Sequence, residues 1–259
     1  MILRPLEPLT PTSRDFVSAW DAVQRIQTKK YESFWLITQP SHAALAAELA
    51  ANICAPQFPA ANAQLLQAIA LHDAGWGIPD AQAIMKSRSV HPRPPDSFLA
   101  TLVLQFLKAW EKSIEICESV SPAGGYVVSR HFYRLAEHRL QATEEANKQE
   151  QSMLESFLKS EERRQKKLAA KQALSMQQLE GLTDLLQFCD LLSLYLCSGA
   201  LEKVAFPEYF GVELRVTNDA NTYKLDPPVV KSGSQFAVAA LRYPATKEES
   251  SREIRIKIE

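Results

Sequence analysis

The chain has no surplus of charge of either sign: 29 Lys and Arg stand against 30 Asp and Glu, a formal net charge of −1. No predicted face collects the basic residues, so the electrostatic footprint of a nucleic-acid polymer is missing. No apolar run approaches the roughly 18 residues that a membrane-spanning helix needs. The opening stretch, MILRPLEPLTP, lacks the basic-then-apolar pattern of a secretory signal. These absences predict a cytoplasmic protein with no membrane partner. Cysteine is sparse: Cys54, Cys117, Cys189 and Cys197 show no C-x-x-C spacing and sit in apolar helical contexts, so they read as reduced core residues. No internal repeat is present.

What is there is a chain of 259 residues, 46% hydrophobic and 23% charged, the composition of an ordinary soluble globular protein. Phe16, Val17, Trp20, Val23 and Ile26 recur at helical spacing over 14–28, and SFWLIT then reads as a short strand. Pro40 and Ser41 open a helix on which His42, Leu45, Leu49 and Ile53 share one face. A second helix over 60–74 aligns Leu65, Ile69 and His72, with Gly75 as its stop signal. Pro79, Pro92, Pro94 and Pro95 make 76–96 a connecting loop. Helical periodicity returns after Asp96, placed as an N-cap, and again from Pro122, where Val128, His131, Leu135 and His138 align. The charged stretch 143–172 reads as a long solvent-facing helix, and 176–197, apolar nearly all round, as a central core helix. Beyond Phe210 the period changes to two, at Val212, Leu214 and Val216, then Tyr223 and Leu225, Phe236 and Val238, and Ile254, Ile256 and Ile258. The expected architecture is one domain over 1–259. It is mainly α, with a helical core over about 40–200 and a small antiparallel sheet from 31–38 and 210–259.

Four short strings carry the chemistry: His42 in TQPSH, His72-Asp73 in LHDAGWG, His131 in SRHFY and Asp190 in FCDLLSL. An ionised carboxylate in an apolar interior costs several kcal/mol unless it is paired or binds a metal, so Asp190 needs a partner. Its own helix offers none, since positions 186, 187, 193 and 194 are Leu, Gln, Ser and Leu. A divalent ion held with His42, His72 and Asp73 would supply the charge. Mixed imidazole and carboxylate donors suit Mn, Fe, Ni, Co or Zn better than Ca. A lone histidine is more often a hydrogen-bonded core residue than a ligand; the coincidence of four strings is what favours a metal. His138 and His91 read as structural, and Trp76 as either a packing anchor or a substrate platform.

The order H, HD, H, D on successive helices resembles the HD-domain superfamily of metal-dependent phosphohydrolases. More narrowly, ITQPSH, HDAGW, VSRHF and LLQFCDLLSLYLC are similar to an uncharacterised bacterial HD-like family defined only as a domain of unknown function. That resemblance implies an HD-type helical bundle with His42, His72, Asp73 and Asp190 as metal ligands. By the same resemblance His131 binds a second metal or the substrate phosphate. The chain departs from the pattern in three places. Residues 11–30 look like an inserted helix, Ala74 stands where a further acidic residue is common, and only His91 falls where two-metal members place an extra inward histidine. A single ion is the expected count. The function implied is hydrolysis of a small phosphate ester or nucleotide, with Asp73 and His131 catalytic and Arg130, Arg93 and Trp76 binding substrate. A non-catalytic metal- or ligand-sensing module is the alternative, and HD-type di-iron oxygenation a third reading. The sequence leaves homo-oligomerisation open.

Overall fold

The computed structural model describes residues 1–7, 9–143, 147–217, 221–247 and 249–259. Its organising element is the 176–198 helix, whose residues Leu179, Leu182, Leu185, Leu186, Phe188, Leu192, Leu194 and Leu196 are all buried. At about 1.5–3 kcal/mol for each large apolar side chain removed from water, this helix is the largest single contributor to the core. It begins with a reciprocal capping box between Ser175 and Gln178 and ends at Gly199, whose φ of 71° is the left-handed conformation a helix stop requires.

Around it the chain runs β1 (Ile2–Pro5), β2 (Val17–Ser18), α1 (Ala19–Gln27), β3 (Phe34–Ile37), α2 (Gln39–Ala51), α3 (Ala63–Ala70), a 3-10 turn (Ala74–Trp76) and α4 (Gly77–Ser87). There follow a second 3-10 turn (Phe98–Ala100), α5 (Val103–Val120), α6 (Pro122–Ala142), α7 (Lys148–Ala169) and α8 (Met176–Ser198). The chain closes with β4 (Val204–Phe206), β5 (Val212–Val216), β6 (Thr222–Asp226), β7 (Gln235–Tyr243) and β8 (Ser251–Ile258). Among the described residues no helix is long and apolar enough to cross a membrane.

The strands form one eight-stranded sheet in the order β1-β3-β7-β8-β6-β5-β4-β2. It is mixed, which corrects the antiparallel expectation: β2 pairs with β4 and β6 with β8 in parallel. β1, β2 and β4 were not expected. Four, two and three residues long, they carry too little alternation to detect, and their pairing is set by partners elsewhere in the sheet. The strand over FWLI does join the C-terminal strands, pairing with β7. It is buried on both faces: Trp35 and Ile37 meet the main core, while Phe34 and Leu36 meet Met1, Leu3 and the α4 residues Ala83 and Ile84. That double burial explains its unbroken apolar run.

Several helix boundaries differ from the sequence reading. The first helix begins at Ala19, because Val17 and Ser18 are taken up by the sheet; Phe16 and Trp20 are left 38% and 39% exposed. The expected loop 76–96 holds the helix α4. Pro79 sits in its first turn, where a backbone N–H has no intrahelical acceptor, so its missing donor does not interrupt the helix. The other prolines of that stretch lie in the connection beyond. Asp96 is exposed and caps nothing; Ser97 accepts from Leu99 N instead, at 3.3 Å. Cys54 is exposed, whereas the other three cysteines are buried as expected. The charged stretch folds as α7, with 144–146 outside the described residues. It is not wholly solvent-facing: Glu161 is 0% exposed and accepts from Ser129 Oγ on α6 at 2.8 Å.

Gly75 does not stop a helix. It is the point where the chain after α3 touches α5: an added Cβ would lie 2.0 Å from the Ala109 carbonyl oxygen, and Gly75 N donates to Ser113 Oγ at 2.9 Å. Gly75→Ala is therefore expected to cost about 1–3 kcal/mol or more through overpacking, read by urea unfolding. Gly77→Ala, where an added Cβ meets nothing within 4 Å, is the control and should lose nothing. Equal stability of the two variants would refute the close-approach reading.

Candidate metal centre

His42 enters the interior because α2 is set firmly at its start. Thr38 Oγ1 accepts from Ser41 N at 3.1 Å, Pro40 occupies the first turn, and Asp80 Oδ2, from α4, accepts from Gln39 N at 2.6 Å. The other oxygen of Asp80 pairs with the Met1 ammonium at 3.2 Å. His72 and Asp73 follow directly on the end of α3. His72 Nδ1 donates to the Ile69 carbonyl at 2.7 Å, which turns Nε2 towards Asp190 Oδ1 at 3.1 Å. His42 Nε2 lies 2.8 Å from Asp73 Oδ2, and His42 Nδ1 lies 3.7 Å from Asp190 Oδ1. Asp73 Oδ2 is 3.8 Å from His72 Nε2, and His131 Nε2 is 3.8 Å from Asp190 Oδ2. The rings of His42 and His72, and of His72 and His131, meet edge to face at 5.3 and 5.6 Å.

Burial alone would neutralise these groups, but their mutual fields reverse it for two of them. Burial opposes a proton on His72, yet Asp73 and Asp190 outweigh it and hold the imidazole up to about 9. Burial likewise pushes Asp190 up, and the hydrogen bond and charge of His72, followed by His131 and His42, bring it down to about 2. His131 goes the other way: burial dominates and lowers it to about 4, so it is neutral at neutral pH. Its Nδ1 is buried without a hydrogen-bond partner.

The donor set fits a divalent ion. One donor atom from each of His42, His72 and Asp190 lies within 4.8 Å of the other two, and all three residues are buried. Neighbouring ligands held at about 2.1 Å and right angles are about 3.0 Å apart, close to the 2.8 and 3.1 Å imidazole–carboxylate separations. His72 has its remote nitrogen fixed on a carbonyl, the arrangement that aims an imidazole lone pair at a metal.

The fold and this cluster define a mainly helical protein with a buried His/His/Asp centre suited to one divalent metal ion. The chain belongs to the family described as "Protein of unknown function (DUF3891)", whose model matches residues 26–239. No curated protein and no solved structure matches it.

Of the residues singled out in the sequence, His42, His72, Asp73, His131 and Asp190 come together. Arg130 does not reach them: its Nε pairs with Glu180 at 3.1 Å and its guanidinium lies over the Tyr133 ring at 5.1 Å. Arg93 is exposed on the 88–97 connection, tied to the cluster by no hydrogen bond or ion pair among the described residues. Trp76, 5% exposed, has too little free face to stack a ligand from solvent. His91 and His138 are exposed. Sequence reasoning missed three residues. Asp80 and Ser193 are polar positions on apolar backgrounds. Arg134, one helical turn beyond His131, pairs with Glu180 and Asp184 at 2.7 Å each and also bonds Gln187. With Glu137, His138, Glu208 and Tyr209 it lines a cavity of about 340 Å³.

Because His72 must give up a proton to bind a metal, uptake should release protons at neutral pH. Apparent metal affinity is expected to rise about tenfold per pH unit from 7 towards 9 and then level off, as the His72 value of about 9 requires. Calorimetry in buffers of different ionisation enthalpy measures this, and a pH-independent affinity would contradict it.

Proposed function

We propose that this protein is a metal-dependent phosphohydrolase of the HD type, acting on a small phosphate ester or nucleotide. The observation that supports it most is the convergence of two imidazole Nε2 atoms on two buried carboxylates, with His72 fixed from behind by Ile69. His42, His72 and Asp190, with Asp73 as fourth donor, would hold one ion of Mn, Fe, Ni, Co or Zn. When bound, such an ion acidifies a coordinated water towards neutrality and polarises a phosphoryl oxygen.

The side chains supply the rest. Asp73 accepts the proton of the attacking water, at the end of the cluster where its carboxylate already faces two imidazoles. His131 is neutral and has a ring nitrogen without a partner, so it can donate one hydrogen bond to a phosphoryl oxygen. α8 and the 3-10 turn after α3 keep these groups nearly dry, which strengthens each contact.

A specific observation favours a second reading, a metal- or ligand-binding module without turnover. The arginines nearest the cluster in sequence, Arg130 and Arg134, are both committed to Glu180, and Arg134 to Asp184 as well. Neither is free to neutralise a phosphate.

Protein purified without chelator is expected to carry about one ion per chain, and His72→Ala and Asp190→Ala to lose at least tenfold of that metal affinity. Equal metal content in all three proteins would remove the metal centre. The loaded protein is then assayed with Mn or Co against nucleotides, phosphomonoesters and phosphodiesters. Turnover lost in both variants supports the hydrolase, whereas a fully loaded, inactive protein supports the binding module.

A further inference from the structure

Ser193 lies on α8 one turn after Asp190, fully buried, and the mechanism above does not use it. Its Oγ is 2.9 Å from His42 Nδ1 and 2.8 Å from the Asp190 backbone carbonyl. A hydroxyl has one proton and two lone pairs, so a His42 with a single ring proton can meet Ser193 in two ways. In the first, Ser193 donates to His42 Nδ1. His42 then carries its own proton on Nε2 and donates it to Asp73 Oδ2 across 2.8 Å. In the second, the hydroxyl turns to the Asp190 carbonyl, the back-bond that serines make inside helices. Its oxygen then accepts from His42 Nδ1–H, and the Nε2 lone pair is free.

The first arrangement pairs both ring nitrogens of His42 when no ion is bound but gives up the Ser193 bond to the Asp190 carbonyl; the second keeps that bond and is the one a metal ligand needs. Each contains one imidazole proton and one hydroxyl proton, so passing between them neither adds nor removes a proton at these two groups. His72 has no such choice, because the acceptor at its Nδ1 is a carbonyl that cannot donate.

We propose that Ser193 is a positioning residue whose rotating hydroxyl lets His42 exchange a hydrogen-bonding tautomer for a metal-ligating one. The proposal rests on the metal-centre reading. It makes His42 the adaptable ligand and His72 the fixed one, and it gives a function to a serine in the midst of leucines. Without the hydroxyl, a ligating His42 would hold a buried Nδ1–H with no acceptor.

The test is nitrogen-15 NMR of the histidine rings in the full chain, with and without zinc, in mildly alkaline buffer. The wild-type His42 is expected to carry its proton on Nε2 without zinc and on Nδ1 with zinc. Ser193→Ala should weaken zinc binding roughly 10- to 100-fold, the usual effect of removing a partner behind a ligating histidine. Ser193→Thr, which keeps the hydroxyl, should restore most of the affinity. A His42 protonated on the same nitrogen in both wild-type states would overturn the proposal, and so would a Ser193→Ala protein that binds zinc as the wild type does. Wild type that takes up no zinc at all would instead sink the metal centre itself, and the proposal with it.

Discussion

Everything at the centre of this molecule answers to one carboxylate placed where water cannot reach it freely. Asp190 sits in the middle of α8, the helix at the centre of the core, between Cys189 and Leu191, with no cation on its own helix to meet it. Ionised and alone, it would cost several kcal/mol. Its charge is met by His72 at the end of α3, at 3.1 Å, with the imidazoles of His42 on α2 and His131 on α6 standing 3.7 and 3.8 Å away. α8 is thereby fixed against its neighbours by polar contacts as well as by leucine packing. Apolar burial is tolerant of small rotations, but a hydrogen bond of about 3 Å is not. The carboxylate therefore sets the rotation of α8, and the leucines supply the bulk of the energy.

How far this was legible in the sequence depends on whether a residue's meaning is local. The phase of His42 with Leu45 and Leu49 was readable because a helix buries whatever lies on its core-facing side, whereas His72, expected on the helix face of Leu65 and Ile69, is buried in the turn beyond the helix end at Ala70. Asp190 was readable as an anomaly. Where a residue's partner is distant, the same rules misled. Gly75 carries the usual signal of a helix stop, but its lack of a side chain serves a contact with α5, more than thirty residues later. Pro79 carries the signal of a break, but it stands in the one turn of a helix that tolerates it. Two-residue strands and parallel pairings leave no periodic trace at all. Arg130 and Arg134 lie one turn apart on the same helix, and no pattern distinguishes the one that stacks on Tyr133 from the one that lines a cavity.

The α6–α8 seam has two chemically different ends. At the inner end His131 faces Asp190, in surroundings dry enough to strip the imidazole of its proton. Towards the beginning of α8, Tyr126, Arg130 and Arg134 converge on Glu180, and Arg134 continues to Asp184. These half-exposed pairs add little stability individually. What they do is occupy two guanidinium groups that a phosphate would otherwise recruit, and leave the cavity beside them lined by Glu137, Asp184 and Glu208 against one already paired arginine.

Charge counting then constrains what the centre can receive. With a doubly charged ion, two neutral imidazoles from His42 and His72, and the carboxylates of Asp73 and Asp190 counted at −1 each, the buried cluster sums to zero. A neutral cluster is the cheapest to keep in a dry interior, which accounts for two carboxylates beside the two histidines where three would leave a buried negative charge. Such a centre exerts little long-range pull on a polyanion, and the acidic cavity at the end of the seam exerts none. A phosphate substrate would therefore be held by the ion's own short-range field and by His131, and by Arg134 only once it is drawn away from both Glu180 and Asp184. A ligand of low charge, by contrast, needs no rearrangement. The decision between the two readings of this site rests on that arginine more than on the metal ligands, which would serve either equally well.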